Sequence, residues 1–510
     1  MASSEANEKG SETWIESGGK DASADSLTVL GYKQELRRNR SVFTLLFQSL
    51  AIAAIPYGEG SPLINAIYGG GPLSIFVGWI CVLILDECIA LSLGELASRY
   101  PTSAGPYYWS FQIAKKHQTI LSFITGWVWL IGNWTITLSV NFGFASLLSA
   151  TIAMYHPGFE VADWQMVLIF YALCIVTFVI CAFGNRFLPM VDTICAGWTA
   201  ISIFIILVSL AVSADVGRHD AAWALGHYDT TLSGWSGFSF FIGLLPAAYT
   251  FSAIGMISSM AEEVADPSIK VPRAISLCVP VGGLAGLFFI LPICFTMPPL
   301  EDILGAPSGQ ALPYILHMVM GTPGSALGLM FLVLVITLFC SISITVAASR
   351  TTWAFARDDA IPFASLWSRV NDHLGVPVWA LALVTGVEML LALINLGSSS
   401  AFTAFVSVGV IALAVSYAIP IGISVWYKRR EVSRARWNCG PVIGPIVNVV
   451  ALLWIAFELV LFSMPTALPV TAVSMNYASV VFAGFLAISA FWYFVYARTS
   501  YKGPPESDGL

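Results

Sequence analysis

Twelve long apolar runs constrain this chain more than any other feature of it. A run of about 20 apolar residues is long enough to cross a bilayer as a helix. Such runs fall at 43–67, 72–97, 120–154, 164–183, 190–213, 236–261, 274–296, 325–348, 378–396, 401–427, 442–464 and 474–497. Lipid offers the backbone no partners, so each run is expected to satisfy itself as a helix. Loop charge tests the count, because Lys and Arg accumulate on the cytosolic side. Of the 23 Lys and Arg, only Arg218 follows an odd-numbered run. The rest stand in the N-terminal tail, after even-numbered runs or after the last. A wrong count would scramble that alternation. The chain therefore reads as an all-α membrane protein of twelve transmembrane helices with both termini cytosolic.

Composition agrees and excludes several classes. The chain is 57% hydrophobic and 10% charged, against roughly 25% charged in soluble domains. Its nine Cys are scattered, nearly all inside apolar runs. They read as small buried hydrophobes, so no metal or cofactor is expected. The His residues show no paired spacing for a membrane enzyme. No phosphate-binding loop argues for ATP-driven pumping, no filter loop or charged ring argues for a channel, and no nucleic acid partner is expected. Residues 1–40 are rich in Ser, Glu, Lys and Gly and read as a disordered cytosolic tail. That tail ends in the basic cluster Lys33, Arg37, Arg38 and Arg40. With no early apolar run, no signal peptide is expected.

Two runs are interrupted. In the first, Pro56, Gly58, Glu59, Gly60 and Pro62 should break the helix over 56–62, since Pro removes a donor and Gly is a poor helix former. In the sixth, Pro246 and Gly255 do the same. A break at membrane depth survives only where it lines an enclosed or wet cavity. Corresponding breaks in two halves of a chain point to a transporter with a midplane site. Half-helix N-termini suit a carboxylate, and unwound carbonyls suit an ammonium group. The candidate substrate-binding residues are Tyr57, Gly58, Glu59, Gly60, Ser61, Tyr249, Phe251, Ser252, Ala253 and Gly255. Glu59 is the one charge in the first break, as a counter-charge for an amine or as a proton carrier.

Other acids read as structural. Asp86 and Glu87 lie mid-run; Asp192, Glu388 and Glu458 are expected as helix-packing partners. Glu262 and Glu263 close the sixth run beside Lys270 and Arg273, as a gate or as a solvated helix end. Glu95 is placed to pair with Arg99 one turn later, and Arg357 adjoins Asp358 and Asp359. Glu59, Glu95, Glu263 and Arg357 are the coupling or gating candidates.

Four segments carry a resemblance: SLGELASRYPTSAGPYYW from Ser92, MAEEVADPSIKVPRAI from Met260, SRTTWAFARDDAIPFASLWSRVNDHLGVPVWA from Ser349, and PTALPVTAVSMNY from Pro465. In this order they resemble the fungal GABA- and choline-permease branch of the amino acid–polyamine–organocation superfamily, over about 30–500. The resemblance implies a leucine-transporter-like fold of two inverted five-helix repeats plus two C-terminal helices. The repeats would cover 41–213 and 236–427, the extra helices 442–497, and a cytosolic tail 498–510. It also implies proton-coupled secondary transport of amino acids or small amines across a fungal membrane. Plasma membrane is preferred to vacuole. The alternatives are an organic cation permease of choline or polyamine type, or an exporter or exchanger of the same fold. Some relatives carry an acid where Gly255 stands, whereas this chain has Glu59 in the other break. No Lys stands in the fifth run to mimic a sodium-site charge, so the coupling ion stays open.

Overall fold

The structure, a computed structural model, describes residues 27–156, 158–306, 309–397, 399–471 and 474–507. The expectation for the first 26 residues lies outside that range. Twelve helices are long and apolar enough to cross a membrane. They are α1 Val42–Gly60, α2 Pro72–Arg99, α3 Gln118–Met154, α4 Asp163–Phe183, α5 Asn185–Val212 and α6 Ser236–Glu263. They continue with α7 Pro267–Phe295, α8 Pro323–Arg357, α9 Val378–Leu396, α10 Ser407–Trp426, α11 Gly440–Leu461 and α12 Ala478–Ser500. The chain is a multi-pass membrane protein with a nearly all-helical fold.

Each span sits where the sequence expects it, but α8 runs nine residues beyond its apolar run, to Arg357. Hydropathy ends at the first arginine of this stretch; the helix does not, because Arg350 and Arg357 are paired with acids of α6. The disordered reading of 1–40 fails over its last third. Leu27, Leu30, Tyr32 and Leu36 are buried, and Arg40 makes two ion pairs. Just after it, Ser41 caps α1: its Oγ accepts from the Thr44 backbone N–H (3.2 Å) while Thr44 Oγ1 accepts from the Ser41 N–H (2.8 Å). That reciprocal cap satisfies two donors a helix start otherwise leaves open.

The interior is set by α1, α3, α6, α8 and α10. Outer helices such as α5 and α12 leave apolar side chains such as Phe204, Ile201, Phe491 and Phe494 exposed, as lipid-facing surfaces do. Helices in lipid associate through close backbone approach at small residues. The α3–α10 crossing shows it: a Cβ on Gly409 would lie 2.6 Å from the backbone nitrogen of Ile136, and one on Gly132 would lie 2.9 Å from that of Leu413. Backbone cannot yield as a side-chain tip can. Gly409→Ala is therefore expected to destabilise the fold by about 1–3 kcal/mol, read as a lower melting temperature of the detergent-purified protein. An unchanged melting temperature would show that the crossing is not tight.

Candidate functional site

The first and sixth spans are both interrupted, five spans apart. In α1 the helix Val42–Ala53 stops at Ala54, which takes the left-handed conformation (φ 42°, ψ 53°). A second helix, Ile55–Gly60, follows at once. This break precedes the expected 56–62, and a second falls inside it: the helix ends at Gly60 and restarts at Leu63, past a turn at Ser61 and Pro62. Pro56 sits in the first turn of the second segment, where a missing N–H costs nothing, so it restarts a helix rather than ending one. Gly58, Glu59 and Gly60 are helical. In α6 the helix Leu245–Phe251 gives way at Ser252 and Ala253 to a 3₁₀ stretch, Ile254–Glu263. Pro246 again opens a helical turn, and Gly255 lies within the 3₁₀ coil. A 3₁₀ run of this length is unusual and marks a hinge.

A cavity of about 560 Å³ leads to these breaks. It opens beside Phe462–Thr466 and Ser474–Asn476, the connection between α11 and α12, opposite the termini. Tyr57 and Tyr249 form its floor. Tyr57 Oη donates to the Val140 carbonyl (3.1 Å), and Tyr249 Oη shares a hydrogen bond with Ser139 Oγ (2.9 Å). Gly143 leaves the room that the Tyr57 hydroxyl occupies. Polar lining comes from Ser61, Asn65, Ser146 and Gln310, whose amide Nε2 donates to Ser146 Oγ (3.2 Å). None of the described residues lining the cavity is charged.

Of the expected substrate residues, the cavity holds Tyr57, Ser61 and Tyr249. Beneath the floor a pocket of about 10 Å³ gathers Tyr57, Gly58, Tyr249, Ser252 and Ala253 with Ala53, Ile136 and Ile344. Phe251 and Ser252 also border a second pocket of that size beside Asp86. Gly60 faces Leu312, and Gly255 faces the ring of Tyr417. Glu59 does not line the cavity. It is buried on the far side of its short helix, where it acts electrostatically on Cys294 of α7. The counter-charge reading of Glu59 therefore lacks the geometry it needs. Sequence reasoning missed Ser139, Phe142, Gly143 and Ser146, although their i, i+3, i+4, i+7 spacing marks one helix face.

The sequence profile of the amino acid permease family matches residues 41–486. The chain belongs to the amino acid permease family. An amino-acid permease of Arabidopsis thaliana is 30% identical over 500 residues, covering 95% of this chain and 96% of that protein. A choline transporter of Saccharomyces cerevisiae is 29% identical, covering 93% and 83%. A polyamine transporter of the same yeast is 29% identical, covering 90% and 76%. These relatives are transporters and not enzymes, and this permease is a transporter of small molecules.

At the end opposite the cavity mouth a cluster of ion pairs ties the N-terminal segment, α5, α6 and α8 together. Arg357 grips Glu262 with both terminal nitrogens, at 3.0 Å each. Glu263 takes Arg350 (2.9 Å) on one oxygen and Arg40 (3.0 Å) on the other. Arg40 also reaches Asp192 (3.0 Å), which accepts from Ser343 Oγ (3.1 Å). The arginines come from the N-terminal segment and α8, not from the nearby Lys270 and Arg273 that the sequence suggests. The tail completes the seal. Tyr32 lies under Arg357, 3.8 Å from ring centroid to guanidinium, and donates to Asp358 (2.8 Å), as does Tyr107 (2.7 Å). The expected Glu95–Arg99 pair is not formed. Glu95 pairs with Arg429 and Arg99 with Glu431 (3.0 Å), tying the end of α2 to the α10–α11 connection. Side chains one turn apart could meet, but here each charge takes a partner from the α10–α11 connection instead.

Removing one partner of a buried pair strands the other charge at a cost of about 3–5 kcal/mol. Arg357→Ala is therefore expected to open this end, raising the labelling rate of a Cys placed at the buried Ser259 at least tenfold. The exposed Arg273→Ala serves as control, and equal rates would show that the pair is no lock.

Burial pushes the Asp358 carboxyl up to about 6, against the pull of Arg357 and the two tyrosine hydroxyls. The folded form thus holds this proton more tightly than the unfolded form. Its contribution is fully present below the ordinary carboxylate range and fades as pH rises through 6. Lowering pH from 7 to 5 should raise the melting temperature of the wild type relative to Asp358→Asn. A constant difference would refute this.

Proposed function

We propose that this permease is a secondary transporter of zwitterionic amino acids or singly charged amines derived from them, coupled to protons and working by alternating access at the two helix breaks. The observation that carries the reading is the uncharged cavity whose tyrosine floor separates it from a small pocket at both breaks, with ion pairs joining the helices at the opposite end. A polyamine brings several ammonium groups and would need carboxylates that the lining lacks. A zwitterion or a single quaternary amine is served by hydroxyls, amides and aromatic faces. The volume fits small metabolites, since ligand pockets run roughly 300–1,000 Å³. The loop-charge alternation supports cytosolic termini with the ion-pair cluster as a cytosolic lock, so that the cavity faces outward for import. This reading takes the plasma membrane as the location in preference to the vacuole. Tyr57 and Tyr249 serve as the inner wall of the loaded site; solute entering the space beneath them requires their hydrogen bonds to Val140 and Ser139 to part.

The test is uptake of radiolabelled amino acids, GABA, choline and spermidine in a transport-deficient yeast at two pH values. Saturable uptake of an amino acid, GABA or choline is expected, faster at the lower pH, with spermidine a poor competitor. Tyr249→Ala should lower kcat/KM at least tenfold, and Tyr249→Phe, which keeps the ring, about threefold. Spermidine as the best substrate would overturn the assignment.

A further inference from the structure

Behind the break in α6 lies a pair of acids that the cavity does not use. Asp86, at the middle of α2, and Glu458 of α11 are 2% and 4% exposed. Both border one small pocket, together with Ser252, Ile254, Val410 and Tyr417. Trp454 Nε1 donates to Asp86 Oδ1 (2.7 Å), and Oδ2 of the same carboxyl has no protein partner. The two carboxyls act on one another electrostatically. Among the described residues, no cation pairs with either. The titratable groups from neighbouring elements are Glu458 of α11, Tyr417 of α10 and, toward Glu87, Cys278 of α7. At the basic end, Glu262 and Glu263 of α6 are held by arginines, and Arg429 is engaged by Glu95. Glu95 is nine residues from Asp86, about 13 Å of helix rise.

Two carboxylates buried together without a counter-ion cannot both stay ionised; one proton shared between them removes the conflict. We propose that Asp86 and Glu458 form the proton-binding site of this permease, holding one proton between them while the lock is closed. The site is wired to the hinge. Tyr417 lies between Glu458 and α6: its Oη donates to the Ser252 carbonyl (3.2 Å), the peptide at the break. Its ring fills the space where Gly255 has no side chain; a Cβ there would lie 2.8 Å from the hydroxyl. Ser252 borders the acid pocket on one side and the small pocket beneath the tyrosine floor on the other, and Val410 borders both the acid pocket and the large cavity. A rearrangement at Ser252 that admits solute to the inner side therefore disturbs the wall of the acid pocket. Water reaching the pair lets it ionise, and the proton leaves toward the side where the lock has opened. The proton enters from the outward cavity past Val410 and leaves unchanged in number, one per cycle.

This rests on the transport reading for its physiological meaning but not for its detection. The probe is the infrared spectrum of the purified permease in lipid at neutral pH. The wild type is expected to show a protonated-carboxyl band that disappears in Glu458→Gln and shifts or disappears in Asp86→Asn; spectra superimposable on the wild type would overturn the site. Reconstituted with a substrate from the uptake screen, both variants are expected to lose accumulation driven by a pH gradient at least tenfold while counterflow exchange persists. Gradient-driven accumulation equal to the wild type in both would overturn the coupling. If the wild type accumulates none of the amines, the transport assignment falls, and the infrared band still decides the proton site.

Discussion

Glu262 and Glu263 are the two residues on which the observed arrangement depends. They end the 3₁₀ stretch of α6 and are buried. Two adjacent carboxylates out of water are untenable unless paired and hydrogen-bonded. Three arginines supply the pairing, one from the N-terminal segment and two from α8. The Ser103 N–H adds a bond to Glu262 (3.2 Å). The arginines come from the N-terminal segment and from two turns of α8, so the cluster fixes the positions of both against α6. Net stability from such pairs is modest, since desolvation consumes most of the attraction. Their effect is conditional: losing one partner leaves a buried charge unpaired and makes this arrangement costly. That is the behaviour the proposed gate needs.

The same logic explains the N-terminal segment. By composition it is a polar tail, and most of it would have no reason to fold. Four apolar side chains, Leu27, Leu30, Tyr32 and Leu36, are enough to pin its last third, because the surface beneath supplies partners. Arg40 then enters the cluster, and the Asn39 and Arg40 N–H groups donate to the Glu263 carbonyl (3.1 and 3.2 Å). The segment is thus continuous with the lock, and any inward opening has to move it.

What the sequence made legible follows from the range of each signal. Span number, helix type and loop polarity are read within windows of about 20 residues, and all twelve spans appear where hydropathy puts them. The break in α1 is legible in the sequence at one of its two positions: the chain turns at Ser61 and Pro62 inside the expected stretch. The other, at Ala54, is not, because Pro56 at a helix start nucleates the segment that follows instead of ending one. The lock was legible only as a set of charges. Glu263 and Arg350, or Glu95 and Arg429, are far apart in the chain, and local spacing favoured the wrong partners, Arg99 for Glu95 and Lys270 or Arg273 for the α6 acids. Glu59 shows the complementary error. Its position in an interrupted run was informative, but a short helix has several faces, and sequence alone does not say which one looks into the cavity.

On the proposed function, the charges that matter to transport are separated from the surface that meets the solute. The described lining of the large cavity is uncharged and offers hydroxyls, amides and two tyrosine rings. The ionisable groups lie behind it, Asp86 and Glu458 at mid-depth, the Glu262–Glu263 cluster at the closed end. In low dielectric a fixed charge in the solute pocket would bind an oppositely charged solute tightly in both orientations, which slows release. On the proposed proton site, acids placed behind Ser252 and Tyr417 let the proton alter the break in α6 without holding the cargo. That placement also makes the solute surface free to vary. Relatives of similar identity bear names as different as amino-acid permease, choline transporter and polyamine transporter. A lining built from small polar and aromatic residues can change its preference by a few substitutions without disturbing the helix packing that sets the breaks.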